Sequence, residues 1–155
     1  MTDRKPARHL QVLDNTVALI DEHGWALIAV APAQGDSGVS FTYTVGLTAQ
    51  FLPELVVYGL EPSSAGALLN AAATHMVATG ELKPGDRLDG VLADGRQVAI
   101  IDIAAEDIAD FAMVHNIYGA VLSARQVVWP DSDGKFPWEK WSCPAQQPLS
   151  GEPPF

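Results

Sequence analysis

The sequence predicts an α+β fold: a single domain with a mixed or mainly antiparallel sheet of about six strands, flanked by three helices, and an irregular aromatic C-terminal tail. Three observations carry this. Two pairs of β-rich runs are each joined by a short link. Three other segments space their apolar residues three and four apart. The order is helix, three strands, helix, two strands, helix, strand, which is not the regular alternation of a parallel α/β sheet.

Residues 7–22 form the first helix, with Leu10, Leu13, Val17 and Ile20 on one face. Gly24 stops it, and Trp25 to Val30 is a short, nearly all-apolar strand. Residues 32–38 are a loop of small and polar residues. Phe41 to Leu60, FTYTVGLTAQFLPELVVYGL, then places two strands around a short link. Phe41, Tyr43, Val45 and Leu47 alternate with Thr42, Thr44 and Gly46, whereas the run from Leu55 is apolar on both faces and belongs inside the sheet. Gly46 and Gly59 follow the two runs, where a glycine ends a strand or admits another backbone.

Pro62 suits the first turn of a second helix, which extends to Thr79 with Ala65, Leu68, Leu69, Ala72 and Met76 on one face and Gly80 beyond its end. Arg87 to Leu92 and Arg96 to Ile103 flank Ala93-Asp94-Gly95, a hairpin signal. A third helix spans residues 105–118 and uses Ile108, Phe111, Val114 and Tyr118. Ala120 to Trp129 is the last strand. Residues 130–155 are rich in Pro, Gly, Ser and Trp and lack periodicity; the first part is expected to pack on the domain and residues 146–155 to be loose.

A length of 155 residues suits one domain with a real core, and 48% apolar content fits a folded globule. A net charge of −10 with only 9 basic residues argues against nucleic acid and anionic membranes. No signal peptide, no membrane-length apolar run and a single cysteine, Cys143, lead to a cytoplasmic expectation.

The chemical motifs are sparse. Gly35-Asp36-Ser37-Gly38 has the look of a serine-protease nucleophile segment, but the chain is too short for that two-barrel scaffold. His9, His23, His75 and His115 show no metal-ligand spacing, and no metal is expected. In Asp131-Ser132-Asp133-Gly134 the glycine is fourth, where a calcium loop needs it sixth. No nucleotide-binding glycine loop is present, and no phosphate-binding cluster supports a flavin, so no cofactor is expected.

Several pieces of the chain resemble the bacterial DUF4262 family, a domain family of unknown function. They are His23-Gly24-Trp25, FTYTVGL with Thr48, LPELVV from Leu52 with Gly59-Leu60, ALLN from Ala67, QVVW from Gln126, Phe136-Pro137-Trp138 and Gln147-Pro148-Leu149. They cover most of the chain in order. Members often carry cysteines near the N-terminus; this chain has none there, so the resemblance implies no metal or redox role.

Trp129-Pro130-Asp131 and Phe136 to Trp141 gather three of the four tryptophans. The segment from Trp129 to Trp138 is expected to fold over the C-terminal end of the FTYTVGL strand, lining a candidate pocket with Tyr43, Thr44, Gly46, Glu54, Trp129, Asp131 and Trp138. On this reading the domain is a binding module for a small molecule or a protein partner. The alternative is a small hydrolase or transferase using Asp131, Glu54 or a histidine as an acid–base group.

Overall fold

The computed structural model describes residues 15–30, 40–89, 92, 96–103, 111–119, 124–130 and 134–136. Its strands are β1 (Ala26–Val30), β2 (Phe41–Val45), β3 (Glu54–Tyr58), β4 (Arg87–Leu88), β5 (Val98–Asp102) and β6 (Ala124–Val128). They form one six-stranded sheet in the order β1-β2-β3-β6-β5-β4. Each half is an antiparallel meander, and the two meet where β3 and β6 run parallel, Glu54 opposite Ala124. The sheet is therefore mixed, with antiparallel pairs in the majority, as the hairpin patterns predict.

Three helices are described: α1 (15–23), α2 (Pro62–Thr79) and α3 (Ala112–Tyr118). Pro62 lies in the first turn of α2, and Gly80 closes it in the left-handed region, its N–H donating to the Met76 carbonyl at 2.7 Å. The apolar face read from the sequence is the buried one: Ala65, Leu68, Leu69, Ala72 and Met76 pack with Leu47, Leu55, Val57, Ile100 and Val127. The opposite sheet face buries Tyr43, Val45 and Val56 against Phe111, Met113 and Val114 of the α3 region, with Ile20 of α1 at its margin. Strand alternation divides these sets, since Tyr43 and Thr44 point to opposite sides. Phe136, at the head of the tail, is buried against Ala99, Ile101 and Val128, with the Arg87 guanidinium 4.4 Å from its ring centre.

The expected starts of the first and third helices, the Ala93-Asp94-Gly95 turn and the tail beyond Phe136 lie outside the described residues. Among those described, no helix is long and apolar enough to cross a membrane.

Candidate functional site

Thr44, Gly46 and Glu54 come together at the end of the sheet where β2 stops and β3 starts. After Val45 the chain turns at Gly46 into a short 3-10 helix, Leu47–Gln50. Its first amide N–H groups face inward, and Glu54, with no exposed surface, accepts from them. Oε1 accepts from the Thr44 hydroxyl at 2.8 Å and Leu47 N–H at 3.3 Å. Oε2 accepts from Gly46 N–H at 3.1 Å, Thr48 N–H at 3.0 Å and the Thr48 hydroxyl at 2.7 Å. The Thr44 hydroxyl in turn accepts from Leu55 N–H at 2.8 Å. Successive backbone N–H groups make an anion-binding concavity, and here the protein's own carboxylate fills it. The bonds of Glu54 are all internal, so its geometry is that of a clasp between β2 and β3.

Gly46 explains why the turn fits. It has φ 126 and ψ −26, and a Cβ there would lie 2.8 Å from both the Gly24 carbonyl oxygen and Trp25 Cα. The Gln50 side chain donates to that same Gly24 carbonyl at 3.1 Å. The Gly46–Gln50 turn is thus pressed against the His23-Gly24-Trp25 segment.

Tyr43 is buried beneath α3, its hydroxyl accepting from Met113 N–H at 3.0 Å and its ring tilted on Phe111 at 5.1 Å. Trp129 lies elsewhere. It packs on the α2 face of the sheet and donates its indole N–H to the Tyr58 carbonyl at 2.8 Å, at the far end of β3 from Glu54. The described part of the structure therefore does not bring Trp129 to Gly46. Asp131 and Trp138 lie outside the described residues.

Burial pushes the Tyr43 hydroxyl above its ordinary value; the bond from Met113 opposes this and the charge of Glu54 adds to it. Tyr118 is raised too, by burial and then by the charges of Glu54 and Asp21. A tyrosine in the unfolded chain ionises near pH 10. In that region the folded state holds its protons longer, so stability is full below about pH 10 and falls as pH rises through the folded-state values. Urea midpoints should begin to drop near about pH 10 and go on falling as pH rises, and Tyr43→Phe should flatten the drop. A decline as steep in Tyr43→Phe as in the parent would show that Tyr43 contributes nothing to it.

An open cleft of about 560 Å³ lies beside the edge strand β1, lined by Leu19 and His23 of α1, Trp25, Ala26 and Leu27 at the head of β1, and Asn70 and Thr74 of α2. The Trp25 indole N–H donates to Asn70 Oδ1 at 3.0 Å, tying β1 to α2. Gly66 allows α2 to approach β1 closely, since a Cβ there would sit 3.3 Å from Leu27 Cδ1. Sequence reasoning did not find this site. The available signals were an aromatic residue directly after a helix-stop glycine, and Asn70 with Thr74 at i, i+4 on a helix built mainly of small and apolar residues.

The family model for the domain of unknown function DUF4262 matches residues 19–142. The chain belongs to the DUF4262 family. No curated protein and no solved structure matches it. The matched span includes every described residue that lines the cleft, both partners of the Glu54–Thr48 contact and Phe136. In this DUF4262 domain, among the described residues, no three His, Cys, Asp or Glu side chains gather as a metal-binding group.

Proposed function

We propose that this DUF4262 domain is a binding module for a small molecule, taken up in the cleft between α1, β1 and α2. The observation that carries the reading is the Trp25–Asn70 bond in the wall of a cleft of about 560 Å³. That volume is within the roughly 300–1,000 Å³ of small-ligand sites. Apolar area from Leu19, Trp25 and Leu27 lies beside the polar groups of His23, Asn70 and Thr74, the mixture by which such sites combine affinity with orientation. The floor is held from below: the Glu54 clasp fixes the Gly46 turn, and that turn abuts Gly24 and Trp25.

A thermal-shift screen of a small-molecule library tests this. A ligand at a hundred times its Kd adds about 2.7 kcal/mol to the native state. Hits are expected to move the Trp25 indole resonance and to lose their stabilising effect in Trp25→Phe and Asn70→Ala. Hits that stabilise both variants as well as the parent, or a library in which nothing moves the Trp25 resonance, would overturn the reading.

A further inference from the structure

Resting on that reading, we infer that the cleft selects an uncharged, amide-bearing ligand with an apolar side chain, one or two amino-acid units in size. The argument begins with the orientation of Asn70. An indole nitrogen is a donor only, so the Asn70 carbonyl oxygen must face Trp25. The Asn70 NH2 group then points away from Trp25, and it has no partner among the described residues. One helical turn on, the Thr74 hydroxyl donates its proton to the Asn70 main-chain carbonyl at 2.7 Å. Its oxygen is left as an acceptor. Side chains at i and i+4 share one face of a helix. The two therefore offer the cleft a donor and an acceptor side by side, which suit a ligand carrying amide groups, a carbonyl toward Asn70 and an N–H toward Thr74.

The floor supports the same chemistry. Among the described residues β1 is an edge strand, paired through β2 alone, and an edge directs every second residue's N–H and C=O outward. Such groups complement an amide or peptide unit. Charge argues against ionic ligands. Among the described residues, the cleft lining holds no Asp, Glu, Lys or Arg. The one ionisable side chain among the described lining residues, His23, is 59% exposed and already has Glu22 at 3.8 Å. An ammonium group would meet no carboxylate among the described lining residues, and a carboxylate would meet a domain of net charge −10. Leu19, Leu27 and the Trp25 ring remain to take an aliphatic or aromatic substituent.

The test uses three probes of one shape on the full chain, followed by ¹⁵N-edited NMR: N-acetyl-leucine methylamide, which is neutral; N-acetyl-leucine, an anion; and leucine methylamide, a cation. The neutral probe is expected to move the Trp25 indole and Asn70 side-chain signals and to bind about tenfold more tightly than either ion. Asn70→Asp keeps an oxygen for Trp25 and removes the donor, and should weaken the neutral probe by about tenfold with the rest of the spectrum unchanged. Thr74→Val should act similarly. Binding of either ion as tight as that of the neutral probe would overturn the amide inference and leave the binding-module reading intact. So would silence from all three probes while library hits still move Trp25. Silence from probes and library together would remove both.

Discussion

Glu54→Ala is expected to lower the unfolding free energy by about 4 kcal/mol, a large part of the roughly 5–15 kcal/mol available to a domain of this kind. The substitution strands three backbone N–H groups and two hydroxyls that now converge on one buried carboxylate. Each buried polar group left unpaired costs about 1–3 kcal/mol, and water entering the vacated space recovers part of the sum. Glu54→Gln retains one oxygen but turns an NH2 group toward existing donors, so its cost should be intermediate, about 2–3 kcal/mol. Urea unfolding monitored by tryptophan fluorescence measures both, with exposed Glu61→Ala as the reference. A Glu54→Ala midpoint equal to that of Glu61→Ala would remove the clasp from the account of stability.

Gly46→Ala should be nearly as damaging, at about 3–4 kcal/mol, and Gly46→Val worse. Two costs combine. At φ 126 any side chain is strained, by roughly 1–3 kcal/mol. The new Cβ would also press on two backbone atoms, Gly24 O and Trp25 Cα, which cannot swing aside as a flexible side chain would. Overpacking of this kind costs a further 1–3 kcal/mol or so. Gly80 separates the two contributions: its φ is 90, but a Cβ there meets nothing within 4 Å. Gly80→Ala should therefore show the conformational cost alone, about 1 kcal/mol. If the two alanine variants unfold at the same urea concentration, the contact with Gly24 and Trp25 is not tight in solution.

Local signals carried most of the fold. Pro62 and Gly80 bracket α2 because each suits one end of a helix for a reason internal to the residue. The alternation of Phe41, Tyr43 and Val45 set β2 by the same logic. The β3–β6 pairing left no such mark. Glu54 and Ala124 are distant in the chain, and a parallel pair needs no turn chemistry between its strands. That pairing also explains why Trp129 sits where it does. Because β6 runs parallel to β3, the residue after Val128 is carried to the Tyr58 end, away from Gly46. The shared direction of β3 and β6 decided a question that aromatic content could not. Glu54 illustrates another limit. A carboxylate next to a strand resembles a ligand-orienting charge in sequence, since nothing local reveals that three N–H groups of a nearby turn already face it.

The contact between Gly46 and the Gly24–Trp25 backbone also bears on alignment. β1 reads Ala-Leu-Ile-Ala-Val, apolar on both faces, so its own pattern opposes a one-residue slip only weakly. In the observed register Ala26 lies opposite Val45, which brings Trp25 level with Gly46. A slip in either direction would set the side chain of Val45 or Leu47 against the spot that only a glycine fits. The strand that borders the cleft thus takes its phase from a neighbour's missing side chain, and so does the placing of Trp25 beside Asn70.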